Sequence, residues 1–128
     1  MTALLFCAAL ASAQSPAPSR ARYQYLLANY LLAKGDTAGA VAAADVALLH
    51  DPHAVAPRLL KAKVAKEDGR SDDALMILEE AAKKAPDSAE AWTALAAMRA
   101  ARGDTYGAAS AQAKAASLAG ASPLGNGG

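Results

Sequence analysis

His50 and His53 stand on either side of Asp51-Pro52, and two imidazoles beside a carboxylate are the start of a metal site. Pro52 keeps a regular helix from carrying them on one face. No third histidine completes the set, and the one cysteine, Cys7, is distant in sequence. The acidic pairs Asp72-Asp73 and Glu79-Glu80 have the composition of a general acid and base. Both fit the solvated face of a helix better. No glycine-rich phosphate loop follows a strand, and no nucleophile elbow occurs. A single cysteine also leaves no internal disulfide or dithiol redox pair. These residues argue against an enzyme and imply neither a metal nor a cofactor, which leaves binding as the function to look for.

Composition narrows the partner. The chain carries 13 basic and 12 acidic residues for a formal net charge of +1, with no long run of either sign. A nucleic-acid binder needs a basic stripe that neutralises several phosphates. Short pairs such as Lys83-Lys84 read as helix surface, so nucleic acid is excluded. The 128 residues have room for one domain. Hydrophobic residues make up 54% of it, but 38 residues are alanine. Burial is worth about 25 cal/mol per Å² of apolar surface, and alanine has little to bury. Stability must then come from many small helix contacts and from alanine's helix propensity. That suits a stacked array better than a domain wrapped around a deep pocket for a small-molecule substrate.

The elements that would build such an array repeat visibly. Gly35, Gly69 and Gly103 are 34 residues apart, and so are Ala40, Ala74 and Ala108, and Ala47, Ala81 and Ala115. Pro52 and Pro86 keep the same step, and Gly120 stands where the next proline would fall. The pattern predicts three pairs of helices: 22–34 with 37–50, 57–68 with 71–85, and 88–102 with 105–119. Glycine serves the turn inside each pair, because a helix C-terminus often takes a left-handed residue. Proline breaks the chain between pairs. Ser71 ahead of Ala74, and Asp87-Ser88 ahead of Glu90, read as helix caps. Pro57 is tolerated in a first turn.

This period resembles the tetratricopeptide repeat, a helix-turn-helix unit that stacks into a superhelix. Leu27, Gly35, Ala40, Ala47 and Pro52 carry the resemblance in unit one (21–54). Ala62, Gly69, Ala74, Ala81 and Pro86 carry it in unit two (55–88), and Trp92, Leu95, Ala96, Gly103, Tyr106, Ala108 and Ala115 in unit three (89–119). The expected fold is an all-α solenoid of three such units over residues 21–119. Arg58 and Lys61 depart from the pattern, standing where unit three has Trp92 and Leu95, so Leu60, Ala62 and Val64 should turn inward instead. Arg99 replaces a large apolar residue. Small alanines let helix backbones approach, and Leu48, Leu75, Ile77, Leu78 and Trp92 should fill the remaining core.

The resemblance implies a protein or peptide segment as partner, held on the concave surface that the first helix of each unit lines. The inward line in unit one is Tyr25, Asn29 and Leu32, at i, i+4 and i+7 on one helical face. Its counterparts are Leu59, Lys63 and Lys66 in unit two, and Thr93, Ala97 and Ala100 in unit three. A ligand with an apolar anchor near Tyr25 and Leu59 and an acidic group near Lys63 or Lys66 would be complementary. A subset of the family clamps the carboxylate of chaperone tails with two lysines, two asparagines and an arginine. Only Asn29 matches that set, the other places holding Tyr25, Leu60, Glu90 and Ala94, so a co-chaperone role is disfavoured.

At the ends, Tyr23 and Tyr30 are expected to pack between helices, while the last face, with Ala109, Gln112 and Ala116, is expected to stay open. Either end offers a route to self-association, the alternative to groove binding. Residues 120–128, rich in glycine, should be a disordered tail. The apolar run 3–10, followed by Ala11-Ser12-Ala13, reads as a signal peptide cut after Ala13, although no Lys or Arg precedes the run. Phe6 directly before Cys7 does not suit a lipid anchor, and the run is too short to span a membrane. Residues 14–20 would then be a linker, and export to a bacterial periplasm or beyond is the expected location.

Overall fold

Gly35, Gly69 and Gly103 have φ of +88°, +78° and +84°, the left-handed backbone that disfavours a Cβ. Each ends a helix in the same way. Asp36 N–H donates to Leu31 O at 2.9 Å and Gly35 N–H to Leu32 O at 3.0 Å. The paired bonds recur from Arg70 to Ala65 and Gly69 to Lys66, and from Asp104 to Arg99 and Gly103 to Ala100. This double closure satisfies carbonyls that a helix end would leave without partners.

In the computed structural model, which describes residues 17–120, these turns divide six helices into three pairs. They are α1 (Ala17–Ala33), α2 (Thr37–His50), α3 (Ala56–Glu67), α4 (Ser71–Lys84), α5 (Ala89–Ala101) and α6 (Thr105–Gly120). Each helix packs chiefly against its neighbours in sequence, and α1 also touches α3, so the pairs stack as units one to three. The protein is an all-α solenoid of helix-turn-helix repeats, and among the described residues there is no strand. Five helices match their expected bounds to within one residue, but α1 starts at Ala17 rather than at 22. Pro18 falls at its second position, where no intrahelical N–H is required. Residues 17–20, expected as linker, are therefore its first turn. The expected leader (1–13), the rest of the linker and residues 121–128 of the tail lie outside the described residues.

Capping differs between units. The carboxylates of Asp36 and Asp104 accept from the N–H groups of Gly39 and Gly107, each at 2.8 Å. Ser88 Oγ accepts from Ala91 N–H at 3.2 Å, as its sequence signal predicts. Ser71 does not cap α4: it is the first helical residue, and Arg70 holds the cap position without a side-chain bond to the N–H groups of the first turn. Arg70 instead pairs with Asp68 and Asp73, the latter in the acidic first turn of α4, where negative charge favours the helix dipole.

The departures from the repeat pattern resolve as hydrogen bonds. Trp92 Nε1–H donates to Pro86 O at 2.9 Å, and Arg58, one repeat earlier, donates from Nη1 to Pro52 O at 2.6 Å. Two unlike side chains thus meet the same need, a donor for the carbonyl of the inter-repeat proline. Lys61 reaches Asp45 on α2 at 2.6 Å, and Arg99 donates to Gly107 O on α6 at 3.3 Å. Leu60, Ala62 and Val64 are buried in α3, as expected.

Fifteen of the twenty buried hydrophobic residues described are alanine, so the core is thin. One cluster joins units one and two around Ala28, Ala40, Ala44, Leu60 and Val64. A larger one joins units two and three around Leu78, Ala81, Leu95 and Met98. Leu95, 1% exposed, is the largest fully buried side chain. Of the bulky residues expected to fill the core only Leu78 is buried, while Leu48, Leu75, Ile77 and Trp92 are half-buried. A stack two helices deep leaves most large side chains with one edge in water. Ala40 and Ala74 are fully covered, whereas Ala108, on the last helix, is half-buried.

Tyr23 and Tyr30 are not packed between helices: they are 65% and 59% exposed, because no described helix covers the outer side of α1. The Lys34 ammonium lies 5.5 Å from the Tyr30 ring centre, a cation–π distance at the surface. Ala109, Gln112 and Ala116 are exposed on α6, as expected.

A Cβ added at Gly69 would meet nothing within 4 Å, so replacing it tests the backbone alone. Gly69→Ala is expected to lower unfolding free energy by about 1–2 kcal/mol, measured by urea unfolding followed by helical circular dichroism. An unchanged midpoint would mean that the left-handed turn is not what closes the repeat.

Candidate functional site

The first helices of the three units, α1, α3 and α5, present one face each to a common side, and three open depressions lie there in line. The first is lined by Arg22 and Tyr25 of α1, by Asp51, and by Ala56 and Pro57 of α3. Tyr25 and Ala56 also line the second, together with Asn29, Leu32, Leu59, Lys63 and, from α5, Glu90. Leu59 and Lys63 continue into the third, which adds Lys66 and, across it, Leu78, Ala97 and Met98. Shared walls make the three a single trough. Each part holds about 280 Å³, below the roughly 300–1,000 Å³ of small-molecule sites. Side chains of a partner fit such compartments better than a whole metabolite does.

Six residues read from the sequence as groove-lining come together here. Tyr25, Asn29, Leu32, Leu59 and Lys63 share the middle compartment, and Lys66 joins Leu59 and Lys63 in the third. Asn29 donates its amide to Tyr25 O at 3.2 Å, which fixes the side chain against its own helix. Thr93 lines neither compartment. Its hydroxyl bonds back to Ala89 O at 2.8 Å, a turn earlier on α5. Ala97 lines the third compartment, whereas Ala100 lines none of the three.

One feature was not read from the sequence, and a second was read only in part. The more apolar anchor cavity lies one step beyond the Tyr25–Leu59 position, over Ala62, Leu78, Ala94 and Met98. Its cause is missing bulk, since Ala62, Ala94 and Ala97 face Leu78 and Met98 across open space. Small residues at the inward positions of α5 were the available signal. The second is Glu90, noted from the sequence only as a departure from the chaperone-tail clamp, a carboxylate in the first turn of α5 that lines the middle compartment together with Asn29. It stands with Tyr25 and Leu60, so these three places of the chaperone-tail clamp do meet at one point, with a negative charge among them.

Charge in the trough is uncommitted. Lys63 and Lys66 are exposed and, among the described residues, neither takes part in an ion pair or hydrogen bond. At i and i+3 they are neighbours on one helical face. His53, by contrast, is engaged elsewhere: its Nδ1 lies 2.9 Å from Lys84 O at the end of α4. A carbonyl only accepts, so that nitrogen carries the proton and ties two inter-repeat turns together. Among the described residues no group of three His, Cys, Asp or Glu is placed to hold a metal, and no helix is long and apolar enough to cross a membrane.

Helical pairs with a left-handed glycine turn, stacked so that their first helices line a trough, define an α-solenoid of repeats. A tetratricopeptide repeat profile matches residues 31–98. That span is more than half of the chain, and the protein belongs to the tetratricopeptide repeat family. Among solved structures it is similar to the first TPR of Spaghetti (RPAP3), bound there to the HSP90 peptide SRMEEVD. The TM-score is 0.68 and the identity 14%, over 85% of this chain and 86% of that one. At that identity the likeness is one of fold. No curated protein matches the sequence.

Side chains kept free for a partner should matter little to the fold. The double variant Lys63→Ala, Lys66→Ala is expected to keep its unfolding free energy within about 0.5 kcal/mol of the native chain. Thermal melting checks this, and a large loss would assign the two lysines a structural role.

Proposed function

We propose that this chain is a non-catalytic scaffold that holds a segment of another protein in the trough along α1, α3 and α5, as one component of a bacterial cell-envelope assembly. The observation that carries the binding reading is the unbroken trough: an apolar floor, polar groups at its rim, and lysines that no internal partner occupies. The fold adds support, because the Spaghetti domain of similar fold holds a peptide. This chain differs from a receptor for acidic chaperone tails in presenting Glu90 where a lysine would be needed, so its partner is of another kind. The envelope part rests on residues 1–13, whose apolar run and small residues at 11 and 13 have the form of a cleaved signal.

Affinity capture from an envelope extract tests both parts, using residues 14–128 beside a folded variant carrying Tyr25→Ala, Leu59→Ala and Lys63→Glu. A partner held by the native chain and lost by the variant is expected, and the native protein recovered from the envelope fraction should begin at Gln14. Equal retention by both forms would move the interface out of the trough. Recovery only from the cytosol, with residues 1–13 intact, would end the envelope reading.

A second reading is favoured by one specific observation. Tyr23, Leu26 and Tyr30, at i, i+3 and i+7 on α1, are each more than half exposed and form a stripe on the outer face of unit one. Such a stripe suits self-association, with the trough idle. Sedimentation equilibrium over a wide concentration range decides between the two. The scaffold reading expects a monomer throughout, whereas a dimer abolished by Tyr23→Ser with Leu26→Ser would establish the alternative.

A further inference from the structure

The trough is not uniform in charge, and the gradient specifies its ligand. The middle compartment has Lys63 on one side and Glu90 on another, which balance. The third has Lys63 and Lys66 and no acid. Two like charges one turn apart on α3 repel each other. Some cations elsewhere among the described residues are held in ion pairs, although Lys83 and Lys114 are not. Lys61 has Asp45, Lys84 has Glu80, and Arg102 has Asp72 at 2.6 Å. Lys63 and Lys66, in no ion pair among the described residues, differ from the other such lysines in standing at the edge of a cavity floored by Ala62, Leu78, Ala94 and Met98. An anion placed between them relieves the repulsion, and an apolar side chain entering the cavity brings that anion to the rim.

We propose that the third compartment takes one apolar side chain of a partner protein segment, with an acidic residue directly beside it seated against Lys63 and Lys66. This rests on the groove-binding reading and adds the chemistry of the ligand. Glu90 sets the polarity. An acidic residue on the opposite flank of the anchor would lie in the middle compartment against the Glu90 carboxylate, so the segment carries its acid on one side only. The volume of about 280 Å³ leaves room for a large apolar side chain such as that of leucine, methionine or phenylalanine.

Selection from a library of random heptapeptides on the full chain tests this, followed by fluorescence anisotropy with the enriched peptides. The expected peptides carry an aliphatic or aromatic residue flanked on one side by Asp or Glu. Lys63→Ala with Lys66→Ala is expected to weaken them about fivefold, as two exposed ion pairs imply, and high salt should erase that difference. Ala97→Trp, which fills the cavity from an exposed helix position, should abolish their binding while the helical spectrum is retained. Glu90→Gln should admit peptides with acid on both flanks. Enriched peptides without an acid, lost in Ala97→Trp, would overturn this inference and leave groove binding standing. Peptides that bind Ala97→Trp and Tyr25→Ala as well as the native chain, or no enrichment at all, would overturn both.

Discussion

Close approach of helix backbones across alanine is the constraint on which the rest of the protein depends. Helices cross at about 8–10 Å when the side chains between them allow it, and Ala28, Ala40, Ala44, Ala74 and Ala91 are fully covered because they allow it. A core made this way has little volume for large residues. Leu48, Leu75, Ile77 and Trp92 consequently sit at its margins, half in water, and few side chains beyond Leu95 are enclosed. The same shortage of bulk opens the trough. Where α5 supplies Ala94 and Ala97 toward α3, nothing fills the space, and a cavity floored by buried core residues reaches the surface. Packing economy and binding surface thus have one cause.

A thin core also shifts weight onto the turns. Helices of 12 to 17 residues are marginal alone, so the register between them has to be fixed by specific contacts. Inside each unit the glycine closure does so, and between units the carbonyl of Pro52 or Pro86 is held by Arg58 or Trp92. A guanidinium and an indole share no shape. They share an N–H donor at the end of a long, flat group, and that is the property the position selects. His53, bonded to Lys84 O, adds a second tie at the same level of the stack.

The fold was legible in the sequence because its signals are local. The left-handed glycines, the prolines between pairs and the Ser88 cap each act within a few residues of themselves, and the 34-residue step repeats the first two. The bounds of five helices followed to within a residue, while the caps at Asp36 and Asp104 went unread. What failed depended on the exact register of a turn or on tertiary surroundings. Ser71 looks like a cap until the turn bonds from Arg70 and Gly69 set where α4 begins. Tyr23 and Tyr30 look like core until it is known that no described helix lies over the outer side of α1. In the trough, the periodicity that places Tyr25, Asn29 and Leu32 on one face also places Leu59, Lys63 and Lys66. It says nothing of depth, and so it did not reveal the cavity over Ala62, Leu78 and Met98, or that Glu90, read only as a departure from the chaperone-tail clamp, shares a compartment with Leu32, Leu59 and Lys63.

Division of labour among the charges follows from the geometry of a single helix. Lys61 and Lys63 are two residues apart on α3, and residues at that spacing do not face each other. Lys61 points to α2 and is held by Asp45, while Lys63 lines the trough and has no partner among the described residues. Arg58, on the same helix, is spent on the Pro52 carbonyl. Among its charged residues, one helix therefore carries a structural edge at Arg58 and Lys61 and a separate trough edge at Lys63 and Lys66, while Leu60 and Ala62 serve both core and trough. Substitutions at Lys63 or Lys66 can change what the trough accepts while the Arg58 and Lys61 contacts keep the repeats in register, which is the physical condition for a repeat scaffold to alter its ligand without altering its fold.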